Sequence, residues 1–176
     1  MLRAIRRIVI LLCVAAISGG LLLTFTTRPD LQSVDSNAKA ALSALRPQLD
    51  ARTQALESLN TAMIKAGRRI DLADEFTAAR RQWNKPDISF NDRIVAANQL
   101  HAIGVRMLAI AGDSPRFASD DAVIAAAKTY EQRVIDANDR DRLNTEIDRA
   151  NAIRDGLLRR LVADALGYSD HPQLMT

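Results

Sequence analysis

Residues 42–63 read Leu42-Ser-Ala-Leu45-Arg-Pro-Gln-Leu49-Asp-Ala-Arg52-Thr-Gln-Ala-Leu56-Glu-Ser-Leu59-Asn-Thr-Ala-Met63. Leu42, Leu45, Leu49, Leu56, Leu59 and Met63 recur at spacings of three and four, and Arg52 fills the one skipped heptad slot. So narrow an apolar seam predicts a helix packed in a bundle or coiled coil. Asp35/Ser36 gives a cap signal ahead of it, and Gly67 a stop behind it. Pro47 lies inside and has no N–H to give, so it is expected to bend the helix and free a carbonyl near Ser43.

The same periodicity continues outward. A shorter helix is expected from Asp71 to Trp83, with Leu72, Phe76, Ala79 and Trp83 on one face, and Asn84-Lys85-Pro86-Asp87 breaks it. A third runs from about Ser89 to Ala111 on a stripe of Ala96, Leu100, Ile103, Met107 and Ile110, stopped by Gly112. Asp113–Ala118 reads as a turn, and Ser119-Asp120-Asp121 as the cap of the next helix. Two stripes continue the pattern: Val123, Ala127, Tyr130, Val134 and Ala137, then Leu143, Ile147, Ala150 and Leu157. One helix over 121–167 would be about 70 Å long. The polar run Asp136–Arg142 therefore predicts a bend near Asn138–Arg142, or a helix projecting past its neighbours. No strand pattern appears. The expected class is all-α, an antiparallel bundle of about four long helices over 37–168, with 169–176 as a tail.

Ahead of the bundle, Ile8–Phe25 contains 18 residues and no charge. At 1.5 Å each they span about 27 Å, close to a bilayer's hydrocarbon thickness. Ile8, Leu11, Leu12, Leu21, Leu22 and Phe25 are its anchor residues. Arg3, Arg6 and Arg7 precede it while Arg28 and Asp30 lie beyond it, which predicts a cytoplasmic N-terminus and an extracytoplasmic bundle. The competing reading is a cleaved signal peptide with Val14-Ala15-Ala16 at the cut. Cutting there leaves apolar Ile17–Phe25 on the mature chain, which favours a retained anchor over 1–27 and a linker over 28–36. Leu12 stands where a lipoprotein signal before Cys13 needs a small residue. Ala15/Gly19 and Ala16/Gly20 are small-xxx-small pairs that permit homo-oligomer contacts in the membrane.

Charge and composition exclude several classes. The chain carries 24 basic and 21 acidic residues, and three of the basic ones lie in 1–27, so the other 21 balance the acids. No basic stripe remains for nucleic acid. Aromatics are 4%, too few for a base-stacking surface, and one Cys with two His makes neither a disulfide framework nor a zinc set. His101 has no second His within a turn, and His171 falls in the tail; both read as surface or partly packed side chains. From Asp136 an EF-hand would want Gly at 141 and Glu at 147, where Asp141 and Ile147 stand. Asp136 and Arg140 read instead as an i,i+4 pair on a solvated face. No catalytic, cofactor-binding or metal-ligating set is expected, and no cofactor.

Asn144 and Asn151 lie seven apart on one helix face. They form either a structural polar ladder, in which buried amides fix an alignment, or solvated side chains beside Asp148. Trp83, the only Trp, either closes a core or serves as a partner hot spot.

Four stretches in order resemble a known family. Arg52-Thr-Gln-Ala-Leu56-Glu-Ser-Leu59 is similar to Arg-Asn-Asp-Leu-Ile-Pro-Asn-Leu, keeping the Arg and last Leu. Met107-Leu108-Ala-Ile110, then Ser114-Pro115-Arg-Phe117 and Val123, resembles Leu-Leu…Tyr-Pro-x-Leu…Phe, with Ser114 for Tyr. Leu143-Asn144-Thr-Glu-Ile147-Asp-Arg-Ala-Asn151 is similar to Tyr-Asn-x-x-Val-x-x-Tyr-Asn, keeping both Asn and losing both Tyr. Leu161-Val162-Ala163-Asp-Ala-Leu166-Gly167-Tyr168 is similar to Leu-Val-Ala-x-Leu-Phe-Gly-Phe. The family so resembled is LemA, membrane-anchored bacterial helical proteins, of which this chain would be a divergent member. The resemblance implies a long-helix bundle on the outer side of the membrane, without established catalysis.

The expected function is therefore a non-enzymatic, single-pass scaffold or adaptor for other membrane or envelope proteins. Docking would be helix-in-groove, through the seam Leu42, Leu45, Leu49, Leu56, Leu59 and Met63 or the end of the last helix. The alternative is an extracytoplasmic ligand-binding sensor that works with a partner protein.

Overall fold

The seam of residues 42–63 lies within one long helix, α1 (Leu2–Lys65), in the computed structural model of the chain. The structure describes the backbone of residues 2–67 and 72–175, and the side chains of 28–67, 72–156 and 159–175. After α1 come α2 (Leu72–Trp83), α3 (Phe90–Asp113), α4 (Pro115–Ala118), α5 (Asp121–Gln132), α6 (Ala137–Arg154) and α7 (Leu157–Ala165). Among the described residues there is no strand, and the chain is all-α. It divides into two compact units: Met1–Ala38 with Glu146–His171, and Lys39–Thr145 with Pro172–Thr176. The anchor residues Ile8, Leu11, Leu12, Leu21, Leu22 and Phe25 fall within α1, and their side chains lie outside the described residues.

The stretch 28–36, expected as a linker, is helical, and Asp35/Ser36 caps nothing. Leu31 and Ala38 are both 0% exposed and extend the seam backwards by heptads. Burying that face gives the helix reason to continue past Pro29, against the one hydrogen bond the proline forgoes. Pro47 and Ser43 are both exposed, so the carbonyl freed at Ser43 meets water and α1 continues through Pro47 unbroken. Gly67 ends it at φ +89°.

The second unit holds most of the apolar packing. Leu72, Phe76, Ala79 and Trp83 are buried on α2, which packs on α3. The Ser89 hydroxyl caps α3 by accepting from the Asp92 N–H at 3.1 Å. Ala96, Leu100, Ile103 and Met107 form its inner stripe as expected, but Ala111 is buried at its end and Ile110 only half-buried. Gly112 does not stop the helix; Ser114, ahead of Pro115, does. Among the residues whose side chains are described, α3 is the one helix long and apolar enough to cross a membrane by length and composition. It packs against α2, α4 and α5 and carries Arg93 and Arg106, as a core helix does.

The stretch 121–167, expected to bend near Asn138–Arg142 or to project past its neighbours, is three helices. Asp120 caps α5, accepting from Ala122 and Val123. The first break falls at 133–136 rather than at Asn138–Arg142, because Asp136 caps α6. Its Oδ1 accepts from the Asn138 and Asp139 N–H groups at 2.7 and 3.3 Å. The Asp136–Arg140 pair is thereby lost, and Arg140 instead meets Asp141 at 3.0 Å. Gln48 of α1 fixes the corner, accepting from the Asp136 N–H at 2.9 Å and donating to Asp139 at 2.8 Å. With α5 ended at Gln132, the stripe shifts: Val134 is 74% exposed and Ile135 is buried. The second break is at Gly156, whose φ of +114° suits glycine alone.

Candidate functional site

Arg52 occupies the seam slot where an apolar residue was due, and the second unit is built to receive it. Its Nε donates to Tyr130 Oη at 3.3 Å and its Nη1 to the Arg133 carbonyl at 2.9 Å. Its guanidinium carbon stands 4.7 Å from the centre of the Tyr130 ring, a cation–π contact. Its Nη2 lies 3.3 Å from His101 Nδ1. Arginine only donates, so Nδ1 accepts and the imidazole carries its proton on Nε2. Burial lowers the His101 pKa from its ordinary 6.5, and the neighbouring Arg52 charge lowers it further.

Leu49, Leu56, Trp83 and Leu100 surround this polar knot, leaving a cavity of about 20 Å³, room for about one water. The knot ties α1 to α3 and α5. Two shallower grooves of about 450 and 460 Å³ open at the surface. One is floored by Ala78, Ala79 and Ala102 of α2 and α3; the other lies between α1 and Ala122 and Ala126 of α5.

The knot makes stability depend on pH. Folded His101 binds its proton less readily than the unfolded chain does, so its contribution to stability is complete above about pH 6.5 and is lost as pH falls through the lowered value. Urea midpoints taken from pH 7.5 to 5 should decline, and His101→Gln should flatten that decline. An equally steep decline in the variant would assign it to other groups.

The tail segment carries a second set of polar contacts, in each unit separately. In the second unit, Asn144 donates to the Leu174 carbonyl at 3.1 Å and accepts the Leu174 N–H at 2.9 Å. Asn98 of α3 donates to the Gln173 carbonyl at 2.9 Å and accepts the Met175 N–H at 2.7 Å. Leu174 is 2% exposed, whereas Gln173 and Met175 face outward.

In the first unit, Asn151 holds the His171 carbonyl at 3.0 Å and N–H at 2.9 Å. Arg154, 3% exposed, donates to the Ser169 carbonyl and to Asn151 at 3.4 Å, and lies 3.8 Å from Asp170. His171 Nε2 is 3.1 Å from Asp35 Oδ1. Burial lowers the Arg154 pKa, opposed by the charges of Asp170 and Asp35.

These positions bear on several expectations. Leu42, Leu45, Leu49, Leu56, Leu59 and Met63 are each at most 6% exposed, so the seam read as a docking face is covered by the chain itself. Burying six apolar side chains internally is favourable. His171, expected on the surface or partly packed, is buried. Asn144 and Asn151, read as a structural ladder or as solvated side chains, are half-buried, and each holds a tail residue's main chain. Trp83 is 2% exposed and donates to Asp50 Oδ1 at 2.7 Å, a core position. Asn98, Arg154 and Asp35 were not legible as site residues: each meets a partner more than 14 residues away, which no local spacing encodes. Among the described residues no three His, Cys, Asp or Glu side chains gather as a metal site. Compared with known proteins, the chain matches no family model, no curated protein and no solved structure.

Proposed function

We propose that the chain is a single-pass membrane protein whose antiparallel helical bundle stands on the extracytoplasmic side as a non-enzymatic, LemA-like scaffold for other membrane or envelope proteins. The observation that carries this reading is the charge partition. An uncharged stretch of 18 residues comes directly after three arginines, and the rest of the chain is electrically balanced. That α1 runs from Leu2 to Lys65 supports it, since one helix contains both the anchor residues and the seam. The cavity at the Arg52 knot holds about one water, far below the several hundred Å³ of a ligand pocket. The two larger grooves are open at the surface, with charged and polar side chains beside their alanines.

The orientation is tested by fusing alkaline phosphatase after residue 176, which should be active, while a cytoplasmic reporter at the same point should be silent. The reverse pattern overturns the topology. Crosslinking in intact membranes should then recover a defined membrane or envelope protein. A small-molecule thermal shift without any such partner would favour the sensor.

A further inference from the structure

Residues 173–175 sit in the second unit as a bound ligand would. The two asparagines that hold them, Asn98 of α3 and Asn144 of α6, each take one main-chain carbonyl and one main-chain N–H. A primary amide offers one acceptor and two donors, and here it is used to engage an extended backbone rather than any particular side chain. The segment has no helix or strand of its own. Its side chains alternate as in a strand, with Gln173 and Met175 outward and Leu174 inward at 2% exposure. Sequence-neutral contacts to the backbone with a pocket for alternate side chains are the elements of extended-peptide recognition.

We propose that this groove, between α3 and the first half of α6, is a binding site for an extended peptide segment of a partner protein, with an aliphatic side chain in the place of Leu174. Residues 173–175 are its displaceable occupant and keep it closed until a partner competes. A short tether presents such an occupant at an effective concentration of the order of millimolar. A partner segment must exceed that by contacts outside the groove, which makes the closed state the resting one. The proposal deepens the adaptor reading by naming what the site takes. It can fail while crosslinking still recovers a partner, and the groove can bind peptide even if no partner is recovered.

The test titrates a fluorescein-labelled peptide of residues 169–176 into the full chain in detergent micelles. Native chain is compared with Leu174→Asp, which expels the tail, and with Leu174→Asp combined with Asn144→Ala. At least tenfold tighter binding to Leu174→Asp than to native chain is expected, with at least tenfold loss on adding Asn144→Ala. Equal binding to native and Leu174→Asp chains, indifference to Asn144→Ala, or no binding to either overturns the proposal.

Should Leu174→Asp lose its helical circular dichroism, the native chain gives a second reading. Saturating unlabelled peptide should accelerate hydrogen exchange at the Leu174 and Met175 amides, and unchanged exchange overturns the proposal. Light scattering of the native chain covers the remaining occupant. A dimer in which residue 174 of one copy crosslinks to Asn144 of the other would make the groove a site of exchange between copies, and the partner-peptide reading would be wrong.

Discussion

Replacing Trp83 with alanine is expected to lower the unfolding free energy by about 3–5 kcal/mol. The indole is 2% exposed at the last position of α2, just before the Asn84–Asp87 break, and lines the cavity beside Arg52. Its truncation would leave a void bounded by α1 and α3, whose Leu56 and Leu100 are themselves tightly packed. The hydrogen bond to Asp50 is the smaller part of the effect. Asp50 is 41% exposed on its side chain, so water replaces the indole N–H at little cost. The loss is therefore one of packing, and Trp83→Phe should recover much of it. Urea unfolding followed by circular dichroism is the measurement, since the variant has no tryptophan left to report. A loss below about 1 kcal/mol would contradict the core assignment and return Trp83 to the surface as a partner anchor.

Gly104→Ala should be the more instructive variant. A Cβ at Gly104 would lie 2.0 Å from Tyr130 Oη and 2.4 Å from Cζ. No rotation of a flexible tip relieves that, because the ring itself crosses the glycine and is 1% exposed. The ring must leave, giving up its burial and its contacts with Arg52, at a cost of about 3 kcal/mol. Alanine's better helix propensity returns about 1 kcal/mol, for a net loss of about 2. Trp83 fluorescence reports on the same pocket, so its emission should shift as well. Gly112→Ala is the matched control in the same helix. Nothing lies within 4 Å of a Cβ there, and the expected effect is a gain of up to about 1 kcal/mol. Two substitutions of one kind on one helix should thus differ in sign.

What the sequence showed and what it hid divide along a physical line. Local periodicity marked the seam, the α2 face, the start of α3 near Ser89, the Asp120 cap and most of the α3 stripe, because helix faces and caps are encoded within a few residues. The Arg52 irregularity was visible in the heptad, but its partners His101 and Tyr130 lie 49 and 78 residues away. The 28–36 stretch misled because a polar, proline-containing run usually ends a helix, and here Leu31 and Ala38 supply a buried face. Asp136 was read as half of an ion pair when its carboxylate was needed as a cap. The heptad of Asn144 and Asn151 was seen, but what those amides hold was not. Nothing in residues 169–175 signals that they are the chain being held.

The amides of Asn98 and Asn144 touch only the spine of residues 173–175 and ignore what hangs from it. Mutation can therefore rewrite the outward position 175 with almost any letter and leave the grip intact. The exception is an imino acid there, whose ring nitrogen has no hydrogen to offer. Drift at this site should look random in every respect but that one.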